Sequence, residues 1–121
     1  MKKALVVDDS KVMRLGIKKM LTKRGYECEE AADGAAALAM LMEGREYDIV
    51  CTDVHMPVMN GIELVRSIRT GTTYGGVPVL VISSDSDRTS IARALLAGAD
   101  EYATKPLTED ALDDKLALLG L

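Results

Sequence analysis

The sequence carries five side chains that could do chemistry if they met at one place: Asp8, Asp9, Asp53, Ser83 and Lys105. Three carboxylates held close together repel one another, at about 4 kcal/mol for a pair about 4 Å apart in an effective dielectric of about 20. A cation is therefore expected among them, and a half-open site with only oxygen ligands is typical of Mg²⁺. Lys105 adds a second positive charge and Ser83 adds a hydroxyl group. Together they offer an acceptor oxygen, a metal site, a cation and a hydrogen-bond donor, which are the requirements for receiving a phosphoryl group.

Each of these side chains follows a short apolar run that is rich in β-branched residues and predicts a β-strand. The runs lie at residues 4–7, 49–51, 77–82 and, more weakly, 101–103. A fifth run, at residues 26–29, alternates apolar and charged residues, as in a strand at the edge of a sheet. The other runs are apolar on both faces, which is typical of parallel strands covered by helices.

Apolar residues between the predicted strands recur with the i, i+3, i+4, i+7 spacing of amphipathic helices. The members of these patterns are Met13, Ile17, Met20 and Leu21; Leu38, Leu41 and Met42; Leu64, Val65 and Ile68; Ile91, Ala94 and Leu95; and Leu112, Leu116 and Leu119. Side chains that can cap a helix precede them, namely Ser10, Asp33, Asn60 with Glu63, Asp87 and Thr108. Glycines that can end a helix follow four of them, namely Gly25, Gly44, Gly71 and Gly98. One helix is therefore predicted after each strand.

Five strand–helix units in a chain of 121 residues predict a single domain that spans residues 1–121. The right-handed crossover rule then gives an α/β fold with an open, doubly wound, five-stranded parallel sheet. We expect the strand order 2-1-3-4-5 and a flavodoxin-like (βα)5 architecture. In such a sheet, ligands bind beyond the carboxyl ends of the strands, at the switch point between the first and third strands.

Composition argues against several classes of protein. The formal net charge of −4 argues against binding to nucleic acid, which requires a basic surface. No apolar run reaches the length of about 18 residues that a membrane span requires, and the N-terminus lacks the pattern of a signal peptide. We therefore expect a cytoplasmic protein without membrane contact. Cys28 and Cys51 have neither metal-binding nor redox spacing and are predicted to be buried, reduced thiols.

Several short motifs occur in an order and at spacings that match one protein family. They are Val7-Asp8-Asp9-Ser10, Asp53-Val54-His55-Met56-Pro57 followed by Asn60-Gly61, then Ser83, then Gly98-Ala99-Asp100-Glu101-Tyr102, and finally Lys105-Pro106. Over essentially its whole length the chain resembles the response-regulator receiver domain of two-component signalling. The nearest type is the stand-alone chemotaxis (CheY-like) regulator.

The resemblance implies that Asp53 is the phosphoacceptor. It would take a phosphoryl group from the phosphohistidine of a histidine kinase or phosphotransfer protein and form an acyl phosphate. Asp9 and Asp53 would bind Mg²⁺ directly and Asp8 would bind it through water. The backbone carbonyl of His55 would be a further ligand. The chain would catalyse its own phosphorylation and dephosphorylation without being a turnover enzyme.

The resemblance assigns Ser83 and Lys105 to the phosphoryl oxygens, with the backbone amides of Val54 and Ser84 nearby. Pro106 is expected to follow a cis peptide bond that turns Lys105 inward.

Ser83 and Tyr102 are the switch residues that the resemblance implies. Phosphorylation would give the Ser83 hydroxyl a strong acceptor, and Tyr102 would then rotate from an exposed to a buried position. The output would be a changed affinity for a downstream protein, with chemotaxis as one pathway. The face for this partner is formed by the fourth helix, the fifth strand and the fifth helix, and includes Arg88, Arg93, Ala97, Tyr102, Asp113 and Lys115.

His55 and Asp85 depart from the usual family pattern. They follow Asp53 and Ser83 at the same short distance, so both belong at the mouth of the site. A donor or an attacking water would pass there, and the lifetime of the phosphoryl group is therefore not predicted.

Three other functions fit parts of the sequence. A flavodoxin-type electron carrier would need an uncharged phosphate loop in place of Asp8 and Asp9. A haloacid-dehalogenase-type phosphatase would need an Asp-x-Asp motif after the first strand and a cap over the substrate. A receiver domain excised from a hybrid kinase or from a larger response regulator fits the motifs. Met1 at the start and a last helix that runs almost to Leu121 favour a natural single-domain protein instead.

Overall fold

Strands and helices alternate along the chain in the computed structural model, which describes residues 1–121. The strands are β1 (Lys2–Val7), β2 (Tyr26–Ala31), β3 (Ile49–Thr52), β4 (Val79–Ser83) and β5 (Glu101–Thr104). The helices are α1 (Lys11–Lys23), α2 (Gly34–Met42), α3 (Gly61–Thr70), α4 (Arg88–Ala97) and α5 (Glu109–Leu118). None of the five helices has the length and apolar character needed to cross a membrane.

The strands form one parallel sheet in the order β2-β1-β3-β4-β5, which confirms the predicted fold and strand order. The chain changes direction across the sheet between β1 and β3, where the switch point was expected. β4 begins at Val79 and not at residue 77 as predicted. The reason is that Pro78 has no N–H group to donate, while the Val77 N–H is used in a turn to the Tyr74 carbonyl oxygen.

Helices cover both faces of the sheet, because alternate residues of each strand point to opposite sides. Leu5 and Val81 belong to the apolar cluster that includes residues of α2, α3 and α4. Val6 and Cys51 belong to the cluster that includes residues of α1 and α5. The helix held least by burial is α4, in which Ala94 is the only buried residue.

Each helix begins at one of the five predicted capping side chains. In every case the side chain accepts a hydrogen bond from the backbone N–H three residues later: Ser10 from Met13, Asp33 from Ala36, Asn60 from Glu63, Asp87 from Ser90 and Thr108 from Ala111. The cap of α3 is a complete capping box, because the Glu63 side chain accepts from the Asn60 N–H. These hydrogen bonds fix the ends of the loops that connect the carboxyl ends of the strands to the helices.

The two cysteines are free thiols and differ in burial. Cys51 in β3 is 1% exposed. Cys28 is only half-buried, because it lies on the edge strand β2, so the prediction of burial is wrong for this residue. Burial raises the pKa of the Cys51 thiol to about 12, with a smaller contribution from Cys28.

Cys51→Ala is expected to reduce the loss of stability at alkaline pH. The thiol ionises near its ordinary pKa of 9.0 in the unfolded chain but near 12 in the folded protein. Its contribution to the free energy of unfolding is therefore complete below pH 9 and is lost as the pH rises towards 12. Between about pH 8 and about pH 10 this loss is about 1.4 kcal/mol in the wild type, and the variant lacks it.

Urea unfolding at the two pH values measures this difference. Val50→Ala is the matched control, because it also shortens a buried side chain of β3 but keeps the thiol. The same pH dependence in Cys51→Ala as in the wild type would contradict the prediction.

Candidate functional site

The register of the parallel strands brings the predicted site residues to one edge of the sheet. Val7 of β1 pairs with Thr52 of β3, so the segments that follow the two strands leave the sheet side by side. The Asp53 N–H donates to the Val7 carbonyl oxygen at 2.9 Å. On the other side of β1, the Asp8 N–H donates to the Ala31 carbonyl oxygen at 3.2 Å. The backbones of Asp8 and Asp53 are therefore held by hydrogen bonds that continue the sheet beyond the ends of the strands.

Three carboxylates meet at this edge. Oxygen atoms of Asp8, Asp9 and Asp53 lie within 4.8 Å of one another. Asp8 is 1% exposed and Asp53 is 7% exposed, whereas Asp9 is open to solvent. Buried carboxylates at this separation need compensating positive charge, and an all-oxygen donor set open on one side fits Mg²⁺. The three side chains named as metal ligands therefore lie together, while the role of the His55 carbonyl stays a prediction.

Lys105 brings a positive charge to the cluster from the end of β5. Its Nζ donates to Asp8 Oδ2 at 2.9 Å and to Asp53 Oδ2 at 3.0 Å. Burial opposes the charged form, but the hydrogen bonds to the two carboxylates outweigh it, so the pKa of Lys105 is raised. The peptide bond to Pro106 is cis, as expected. Lys105 thus bridges the carboxylates of two neighbouring strand ends.

The start of α3 holds the backbone around Asp53. Asp53 Oδ1 accepts from the Val54 N–H at 2.7 Å, and the Val54 carbonyl oxygen accepts from the Gly61 N–H at 2.8 Å. A Cβ atom on Gly61 would lie 2.0 Å from the Asp53 carbonyl oxygen, a contact that a side chain cannot make. Glycine at this position is therefore what lets α3 approach Asp53 so closely.

The two predicted switch residues are linked through the backbone of Asp85. Ser83 is fully buried, and its Oγ accepts from the Asp85 N–H at 3.2 Å. The Tyr102 hydroxyl donates to the Asp85 carbonyl oxygen at 2.6 Å. Tyr102 is 7% exposed. The structure therefore has Tyr102 in the buried position expected after phosphorylation, and not in the exposed position expected before it.

The side chain of Asp85 pairs with His55 beside the site. Asp85 Oδ2 and His55 Nε2 are 2.5 Å apart, and the His55 side chain stays largely exposed. The pair joins the loop after β4 to the loop after β3. Sequence reasoning marked each residue as a departure but did not predict that they touch.

Sequence reasoning missed Arg69, which joins three segments at the end of α3. Its guanidinium group donates hydrogen bonds of 2.7 to 2.9 Å to the carbonyl oxygens of Gly75, Val77 and Gly98 and to Asp100 Oδ2. An arginine in the last turn of a helix usually indicates a solvated charge near the helix C-terminus. The only signal for this contact is the Gly98 to Asp100 motif, whose acidic side chain can pair with an arginine.

Residues predicted for the face that binds a downstream protein lie on two different sides of α4. A groove of about 600 Å³ between α4, β5 and α5 has walls that include Ile91, Leu95, Tyr102 and Lys115. Arg88 and Arg93 are predicted for the same face, but they line a separate hollow of about 520 Å³ that they share with Arg66 of α3. Ala97 and Asp113 do not line the groove either. Each residue of a helix turns by about 100°, so neighbouring positions of α4 face different elements, and the extent of the partner face stays a prediction.

Comparison with known proteins agrees with this arrangement. Residues 4–117 match the sequence model of the family described as response regulator receiver domain. The chemotaxis protein CheY-3 of Vibrio cholerae is 41% identical over 115 residues, which cover 94% of this chain and 88% of that protein. The structure of chemotaxis response regulator CheY4 of Vibrio cholerae superposes with a TM-score of 0.89 at 34% identity, covering 98% of each chain. The receiver domain of sensor histidine kinase PA1611 from Pseudomonas aeruginosa, solved with magnesium coordinated in its active site cleft, gives 0.88 at 27% identity, covering 99% of this chain and 98% of that one. On the family match and the relatives together, the chain belongs to the response regulator receiver domain family.

Proposed function

We propose that this chain is a phosphorylation-activated switch of a two-component phosphorelay, with Asp53 as the residue that accepts the phosphoryl group. The donor would be the phosphohistidine of a histidine kinase or phosphotransfer protein. The observation that carries the proposal is the position of Asp53, a buried carboxylate 3.0 Å from the Lys105 ammonium and within 4.8 Å of two further carboxylates. A carboxylate between a fixed cation and a cluster able to hold a metal is suited to accept a phosphoryl group.

Each neighbour of Asp53 has a part in the transfer. A carboxylate oxygen of Asp53 attacks phosphorus, the bond from phosphorus to the imidazole nitrogen of the donor breaks, and its electron pair leaves with that nitrogen. Lys105 balances negative charge on the phosphoryl oxygens, and the Ser83 hydroxyl donates to one of them. Asp8, Asp9 and Asp53 would hold Mg²⁺. When bound, Mg²⁺ neutralises part of the phosphoryl charge.

Removal of Mg²⁺ is expected to abolish phosphorylation of the chain by phosphoramidate. Without a metal, only the Lys105 charge offsets three carboxylates, so an anionic donor is repelled from the site. Intact mass spectrometry should show one phosphoryl group per chain in excess Mg²⁺ and none in EDTA.

Adding excess Mg²⁺ back to the EDTA sample controls for damage to the protein and should restore the single adduct. A full yield of adduct in EDTA, or several adducts per chain in Mg²⁺, would contradict a single metal-dependent acceptor.

We further propose that the signal leaves through the groove between α4, β5 and α5. Hydrogen bonds run from Ser83 through the Asp85 backbone to Tyr102, which lines that groove. A phosphoryl group that attracts the Ser83 hydroxyl changes this path and therefore the groove. A downstream protein would sense the change as a shift in affinity of roughly 5- to 150-fold. The chemotaxis relatives favour control of motility, and the chain would act in the cytoplasm as a switch and not as a turnover enzyme.

A further inference from the structure

Three arginine side chains lie together between α3 and α4 and form no ion pair. Four of the seven arginines in the chain form ion pairs. The other three, Arg66, Arg88 and Arg93, form none and are exposed. All three line one hollow of about 520 Å³. These three residues are named the α3–α4 arginine patch.

The α3–α4 arginine patch stands out in a chain whose formal net charge is −4. The other residues that line its hollow are Thr89, Ala92 and Leu96, so no acidic side chain contributes to the wall. The acidic cap of the same helix, Asp87, uses both of its carboxylate oxygens in hydrogen bonds to Ser90. Asp87 and Arg93 attract each other without forming an ion pair, so the repulsion among the three arginines is offset only in part.

A large apolar side chain stands among these charges. Leu96 is 88% exposed, and Ala92 beside it in the hollow is exposed as well. Arginine is enriched in protein–protein interfaces and among their hot spots, because it combines an apolar stem with a planar group that binds carboxylates through two hydrogen bonds. The combination of arginines and exposed apolar side chains is therefore suited to a partner that carries both acidic and apolar residues.

The α3–α4 arginine patch is continuous with the mouth of the Asp53 site. Arg66 and Arg93 also line an adjoining hollow of about 410 Å³, whose walls include His55 and Asp85. A partner seated on the patch would therefore extend to the pair of side chains beside the phosphoacceptor.

We propose that the α3–α4 arginine patch binds an acidic, amphipathic segment of a partner protein. Carboxylates of the segment pair with the three arginines, and an apolar residue between them covers Leu96. Charge complementarity selects this occupant. Three arginines in a chain of negative net charge are too few to hold a nucleic-acid backbone at physiological salt. The surface is separate from the groove between α4, β5 and α5, and its occupation does not require phosphorylation of Asp53.

The test uses the full chain and a synthetic Ala-rich helical peptide of about 20 residues. The peptide carries Glu at positions i and i+4 and Leu at i+3, and a matched peptide has Gln in place of each Glu. NMR titration of the isotope-labelled chain locates the binding, and calorimetry measures Kd. We expect amide resonances of α3 and α4 to shift when the Glu peptide is added and to stay unchanged with the Gln peptide. Arg66→Glu/Arg93→Glu should weaken binding about tenfold or more, and Leu96→Ala about threefold.

Lys11→Glu/Lys19→Glu on α1 is the matched control, because both lysines are exposed, neither forms an ion pair, and the change in net charge is the same. Affinity in this control should stay within about twofold of the wild type. Four results would each overturn the proposal: equal weakening in the control, shifts centred on the groove between α4, β5 and α5, no saturable binding of the Glu peptide, or tighter binding of a DNA duplex at the same amides.

Discussion

Asp53→Asn is expected to take up no phosphoryl group from phosphoramidate or acetyl phosphate in Mg²⁺, whereas the wild-type chain takes up one. An amide oxygen lacks the negative charge that makes the carboxylate a nucleophile. The variant should keep the fold, because the amide can still accept from the Val54 N–H, which lies 2.7 Å from Asp53 Oδ1. Lys105 also keeps its hydrogen bond of 2.9 Å to Asp8. Intact mass spectrometry measures the uptake.

Asp114→Asn is the control for this experiment. Asp114 is an exposed carboxylate of α5 without an ion pair, so the variant makes the same chemical change away from the site. It should be phosphorylated like the wild type. An adduct on Asp53→Asn at the wild-type yield would remove Asp53 from the role proposed for it, provided that thermal unfolding shows all three proteins to be folded.

Arg69→Ala is expected to lower the free energy of unfolding by about 3 kcal/mol and Tm by roughly 10 °C. The variant leaves the carbonyl oxygens of Gly75, Val77 and Gly98 without their donor, and Asp100 without its counter-charge. The side chain of Arg69 is 23% exposed, so water can replace some of these bonds but not all of them. Urea unfolding monitored by circular dichroism gives the change directly.

Arg66→Ala provides the comparison, because Arg66 lies one turn earlier on α3 and forms no ion pair. Its free energy of unfolding should stay within about 0.5 kcal/mol of the wild type. If the two variants lose the same small amount of stability, the hydrogen bonds of Arg69 do not hold the three segments together.

The order of strands and helices could be predicted because its signals are local. The Asn60 cap and the Glu63 that completes it lie within one turn, and their contact needs no information from the rest of the chain. The convergence of Asp8 and Asp53 was also predictable, because neighbouring parallel strands end at the same edge of the sheet. The apolar run predicts a start of β4 that is too early, because it includes Pro78, which has no N–H group to donate.

The contacts that sequence reasoning missed join residues that are distant along the chain. Whether His55 reaches Asp85 depends on how two loops leave the sheet, and no short-range pattern encodes this. The position of Tyr102 depends on a hydrogen bond to the distant Asp85 carbonyl oxygen and on packing in the apolar cluster. The outward direction of Arg88 depends on how far α4 is rotated about its axis, a quantity set by packing. Side-chain direction is therefore less predictable from sequence than the element that carries it.

The hydrogen bonds of Arg69 hold the C-terminal end of α4, so a tilt of this helix would pivot about that end. Arg69 fixes Gly98 at the C-terminal end of α4, while Ala94 alone is buried along the ten residues of the helix. A helix of this length is about 15 Å long, so a tilt of about 10° moves its first turn by about 2.6 Å. A displacement of the Asp85 loop, which leads into the first turn, would therefore move Arg88 most and would fade along the helix towards Gly98.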